Sequence, residues 1–169
     1  MNEEFQFFRG DAQRVGRLAP LPRVSRVTHI VPSGRKVSAL TYVDYTARNT
    51  VPTVFLHGMG LNAHTFDPTI FAYQEHAVSI DLPGHGQSEW RPDADYSPAS
   101  IAEDVAAMIT KLIDGPFHLV GHSLGGLTAA AIAPLLMDRI QHLVLIDVTP
   151  GISPQADAAE VTEIGRAHV

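Results

Sequence analysis

Apolar and polar positions follow two rhythms along this chain. Residues 24–31 and 36–43 are strand-like runs separated by Pro32-Ser33-Gly34, a turn composition, and predict an antiparallel hairpin at a sheet edge. Four shorter apolar runs follow, at 53–56, 77–80, 117–120 and 143–146. Each is too short for a helix and too uniformly apolar for a half-exposed strand, which is how parallel strands buried on both faces read. Helical spacing between them is clearest in Ile101, Val105, Met108, Ile109 and Leu112, with Ser97 as cap, Pro98 in the first turn and Gly115 at the end. Strands alternating with helices predict an α/β fold, a doubly wound and mostly parallel sheet with helices on both faces, preceded by the N-terminal antiparallel hairpin. Residues 1–22 show no such rhythm; with Pro20 and Pro22 closing them, they read as an irregular, extended arm before a core spanning 23–163.

Composition narrows the chemistry. At 169 residues and 45% hydrophobic content the chain can bury one core, and 18 acidic against 12 basic residues (net charge -6) give no positive field to attract nucleic acid or an anionic membrane. Met1-Asn2-Glu3-Glu4 lacks the positive start and apolar run of a secretory leader, so a soluble, cytoplasmic protein is expected. With no cysteine, thiolate nucleophiles and cysteine-held metals are excluded, leaving Ser, His, Asp and Glu to do chemistry.

The run at 117–120 leads into Gly121-His122-Ser123-Leu124-Gly125-Gly126 and then an alanine-rich helical stretch. This is GxSxG between a strand and a helix. The sharp turn projects the Ser123 hydroxyl, the flanking glycines avoid collisions across it, and the helix start aims N–H groups at developing negative charge. Two further motifs stand upstream in order: Leu56-His57-Gly58-Met59-Gly60 at a strand end, and Asp81-Leu82-Pro83-Gly84-His85-Gly86-Gln87-Ser88 after the next strand.

Together these motifs resemble those of the α/β-hydrolase family of serine hydrolases, over residues 24–151. The resemblance implies Ser123 as nucleophile, with the backbone N–H groups of Met59 and Leu124 as the oxyanion hole, each donor being worth about 3 kcal/mol in comparable sites. It implies hydrolysis of a carboxylic ester or related acyl bond in a small molecule, through an acyl-enzyme and without a cofactor. The family places its acid and then its histidine after the serine. Only His142 and His168 follow Ser123, and neither suits the role: His142 precedes its strand, at the end away from the site, and reads as a surface residue. The catalytic histidine is therefore expected beyond the end of this chain, leaving the chain inactive and the apolar run at 143–146 as an unpaired, aggregation-prone edge. Asp147 ends that run, where some members of the family place the acid, though most place it one strand later. His57 and His85 are expected to tie loops together, and His122 to point away from the serine. His29, His64, His76 and His118 show no metal-ligand spacing. Residues 164–169, Ile-Gly-Arg-Ala-His-Val, look like the in-frame translation of a sequencing adapter and read as a non-native tail.

Two other readings compete. Gly58-Met59-Gly60-Leu61-Asn62-Ala63, with Asp81 ending the next strand, outlines a Rossmann-type dinucleotide fingerprint, in which Asp81 would hold a ribose hydroxyl and the protein would be an oxidoreductase. Alternatively, the chain is a non-catalytic binding protein that retains the pocket.

Overall fold

The hairpin forms where the alternation predicts it, with β1 (Arg23–Ile30) antiparallel to β2 (Lys36–Val43) and Gly34 at φ +83° in the turn between them. The computed structural model describes residues 3–17, 20–44 and 51–148. The four short apolar runs are β3 (Thr53–Leu56), β4 (Ala77–Asp81), β5 (Phe117–His122) and β6 (Ile140–Ile146). The sheet order is β1-β2-β4-β3-β5-β6; β2 meets β4 antiparallel, and the pairings β4–β3, β3–β5 and β5–β6 are parallel. All four parallel strands therefore end on one edge, where a doubly wound sheet gathers the loops that bind ligands.

Helices cover both faces. On one, α3 (Pro98–Leu112) and α4 (Leu124–Ile132) pack over Val54, Leu56, Ile80 and Leu119. Ile101, Val105, Met108 and Ile109 of α3 are fully buried there, and each such side chain stabilises the fold by about 1.5–3 kcal/mol. Ser97 accepts the Ser100 N–H and caps α3, as its sequence predicts. Asp104, on the buried side of that helix, is balanced by Arg35 at 2.8 Å and Arg91 at 3.2 Å. On the other face, α2 (Asp67–Tyr73) packs against Leu40, Tyr42 and Phe55.

The first 22 residues depart from the extended arm expected of them. Glu3–Phe5 makes a 3-10 turn and Phe8–Arg14 an α-helix, α1, followed after Pro20 and Pro22 by β1. Phe5, Phe8, Ala12 and Val15 are spaced three or four apart, form one face, and join the cluster around Phe71 on the α2 side. Arg17 then locks the segment down: its buried guanidinium pairs with Asp44 at 2.8 Å and donates to the carbonyls of Pro20 and Phe71. Tertiary burial carries a helix too short to announce itself by period.

At the opposite side of the sheet β6 has a strand on one flank only among the described residues. Its Leu143, Val144, Leu145 and Ile146 are 39–45% exposed, which matches the apolar edge anticipated for 143–146.

Candidate active site

The turn between β5 and α4 holds Ser123 at φ +51°, ψ -117°, a backbone region that L-residues enter only at a cost of about 1–3 kcal/mol. Its amide donates to the Ile146 carbonyl at 2.9 Å, which ties the turn to the end of β6. Glycine is obligatory on both sides. A Cβ on Gly121 would collide with the backbone of Gly125, and one on Gly125 would collide with the carbonyls of Leu56 and His57. That close approach brings the start of α4 against the end of β3. Among the described residues the Ser123 hydroxyl has no hydrogen-bond partner, and the Leu124 N–H lies in the first turn of α4, where helical geometry supplies no acceptor.

The loop after β3 passes directly over this turn. A Cβ placed on Gly58 would stand 3.4 Å from the Ser123 Cβ and 2.8 Å from the His122 Nδ1, so the Met59 amide, covalently next to Gly58, borders the serine. His57 sets that loop's geometry. Its side chain is fully buried; Nε2 lies 3.0 Å from the Leu82 nitrogen and Nδ1 2.7 Å from the Gly58 oxygen. A backbone N–H can only donate, so Nε2 is the acceptor, the ring proton sits on Nδ1, and Nδ1–H donates to Gly58. Burial lowers the His57 pKa to about 4, outweighing the bond to Gly58. In a trans peptide C=O and N–H point opposite ways, so pinning the Gly58 carbonyl also orients the Met59 N–H.

Asp81 is wholly internal. Its carboxylate accepts the Ala63 N–H at 2.7 Å and the Gln87 N–H at 3.1 Å and pairs with Arg26 at 2.6 Å, with no exposed side-chain surface. A ribose hydroxyl therefore finds this carboxylate already occupied and out of reach, and the Rossmann-type reading loses the residue it needs. Asp81 instead braces the loop after β4 against β1.

The remaining histidines sort by position. His85 packs edge-on to His57, centroids 5.1 Å apart, with its Nδ1 3.1 Å from the Pro83 carbonyl oxygen, in line with a loop-tying role. The His122 ring lies against Gly58, with Nε2 3.8 Å from the Asp147 carboxylate. Asp147 itself, at φ +56°, has a side chain 80% exposed. His142 lies inside β6, in register with His118, and not before the strand as the apolar run predicts; its exposure, away from the strand ends that carry Ser123, is as expected. His168 and the tail at 164–169 lie outside the described residues. Among those described, no group of three or more His, Asp or Glu side chains is arranged to hold a metal, and no helix is long and apolar enough to cross a membrane.

Comparison with known proteins agrees with this geometry. A sequence family described as alpha/beta hydrolase fold matches residues 51–167. Esterase Rv0045c of Mycobacterium tuberculosis is 42% identical over 148 residues, 88% of this chain and 47% of that protein. A pimeloyl-[acyl-carrier protein] methyl ester esterase of Aeromonas hydrophila is 36% identical over 115 residues, 60% of this chain and 43% of that protein. A solved structure of the mycobacterial esterase superposes with a TM-score of 0.80 at 40% identity, covering 98% of this chain and 53% of the other. The chain spans about half the length of the curated relatives it matches. With the strained serine turn, the strand order and the family match all in agreement, the chain belongs to the α/β-hydrolase fold family.

Proposed function

We propose that this chain carries the nucleophile and oxyanion half of a serine hydrolase acting on a carboxylic ester, or a related acyl bond, of a small molecule. The observation that carries the proposal is Ser123 at φ +51° on a turn bordered by the Gly58–Met59 loop. Ser123 Oγ attacks the acyl carbon while its proton passes to a histidine base. The carbonyl oxygen becomes an oxyanion facing the N–H groups of Met59 and Leu124. The alcohol leaves with the proton, and water then releases the acid from the acyl-serine. No cofactor takes part in these steps.

Among the described residues no imidazole is hydrogen-bonded to the Ser123 hydroxyl. Without a base turnover falls by about 10⁴ to 10⁶, so the described residues by themselves are assigned binding geometry and negligible turnover. Asp147, largely exposed, is assigned to anchoring the turn beside His122 and not to the triad. The names of the relatives support ester chemistry, and the net charge of -6 supports a small-molecule partner over nucleic acid or membrane. We place the protein in the cytoplasm, a reducing compartment with which a cysteine-free chain is compatible.

The test is a fluorophosphonate probe on a chain of the relatives' length, with mass spectrometry to locate the adduct and p-nitrophenyl acyl esters to read turnover. Labelling at Ser123, and loss of label and turnover in Ser123→Ala, is expected. Labelling at another serine, or undiminished hydrolysis by the variant, overturns the assignment.

A further inference from the structure

At the opposite ends of the parallel strands from Ser123, two histidines face each other across β5 and β6. We propose that His118 and His142 form a two-imidazole clamp for one divalent late transition-metal ion of the copper(II) or nickel(II) kind. They are register partners in the parallel ladder, with Nδ1 atoms 3.0 Å apart, ring centroids 4.8 Å apart and ring planes inclined at 42°.

Those distances fit an ion between them. Nitrogens about 2.0–2.1 Å from one metal and at right angles to each other are about 2.9 Å apart, with imidazole centroids about 4.5 Å apart. Two rings meeting head-on in a simple hydrogen bond at the same nitrogen separation would set their centroids about 5.3 Å apart. A hydrogen bond bent at the rings reaches the same centroid separation, so the proposal rests on the two ring nitrogens converging to within reach of one ion. Adjacent nitrogens at right angles suit the square-planar or octahedral preference of copper(II) and nickel(II) over a tetrahedral ion.

The chemistry around the pair agrees. The negative charge of Glu75 acts on His118 and favours a cation there. Among the described residues no third side chain completes a cage, so a bound ion would keep water in its remaining positions and be held by the two imidazoles alone. Five residues of strand separate His118 from Ser123, about 16 Å, which sets the clamp apart from the serine site. Its direct effect is to tie the edge strand β6 to its neighbour. Neither histidine announces the other in sequence, because they lie 24 positions apart.

Calorimetric titration of nickel(II) chloride into the 169-residue chain, and into His118→Ala and His142→Ala, tests the clamp. One ion per chain with micromolar affinity is expected, weakened at least tenfold in either variant, together with a nickel-dependent rise in melting temperature in the parent chain alone. Binding by either variant within twofold of the parent chain overturns the proposal. Electron paramagnetic resonance of one equivalent of copper(II) on the unsubstituted chain gives a reading independent of whether the variants fold. Coupling to two imidazole nitrogens is expected, and coupling to one or none overturns the clamp.

Discussion

The Leu82 amide donates to Nε2 of His57 at 3.0 Å, and this one bond joins the loop after β4 to the loop after β3. Because Nε2 is taken, the His57 proton must sit on Nδ1 and bind Gly58. Protonating the ring would break the contact to Leu82 at a fully buried position.

That contact gives the fold a pH dependence. The folded pKa of His57 is about 4, below the ordinary value of 6.5, so between those values the unfolded chain binds the extra proton. Stability contributed by neutral His57 is thus complete above pH 6.5 and is lost as pH falls towards 4, by about 3 kcal/mol. His64 runs the other way, its pKa raised chiefly by the hydrogen bond to Asp67, so the comparison is made against His57→Gln. Denaturant titrations from pH 7 to 4 are expected to show a steeper loss in the parent chain than in that variant; parallel curves would refute the assignment.

Ser123 pays in backbone strain for its place on the turn, and among the described residues its hydroxyl returns no hydrogen bond. Ser123→Gly is expected to raise stability by about 1 kcal/mol and, in a chain of the relatives' length, to abolish fluorophosphonate labelling. A thermal melt at or below that of the parent chain would contradict the strain.

Gly125→Ala forces a methyl group into the carbonyls of Leu56 and His57. The expected cost is about 3 kcal/mol or more. Gly115→Ala, with open space around it and an unexceptional φ, is the control and is expected to change stability by under about 0.5 kcal/mol. Equal melting temperatures for the two variants would mean that the end of β3 does not press on α4.

Asp81→Asn takes the fully buried one of Arg26's two carboxylate partners, leaving Glu4, and weakens acceptance from the Ala63 and Gln87 amides; the expected cost is about 1–3 kcal/mol. The parent chain is expected to show no NAD or NADP binding at micromolar concentrations by fluorescence titration. Saturable binding there would restore the nucleotide reading.

In a chain of the relatives' length, Asp147→Asn is expected to leave ester turnover within about threefold. A fall of about 10³ or more would instead make Asp147 the acid of the triad.

Much of this was legible in the residues because its signals are local. The four short apolar runs all form strands, of which β3 and β4 are buried along their whole length while β6 is exposed among the described residues, and GxSxG between a strand and a helix specified a turn that the backbone at Ser123 displays. The loop-tying roles of His57 and His85 followed from their motifs. What escaped is what folding brings together from a distance. The Arg26 pairing with Asp81 spans 55 positions and the Arg17 pairing with Asp44 spans 27, so charge patterning along the chain marks neither. The helix α1 was invisible because seven residues containing Gly10 have weak helix propensity, and only Phe71 and its neighbours give Phe8 a reason to turn inward.

That inward turn relocates the start of the folding unit. A variant trimmed to begin at Arg23, where the regular strands start, would strip one wall from the aromatic nest in which Phe8 meets Phe71 edge-on at 5.2 Å and would leave Asp44 buried with its guanidinium gone. The shortest piece worth expressing therefore opens upstream of Phe5, and purification tags belong ahead of it, outside the pocket of rings that the first helix closes.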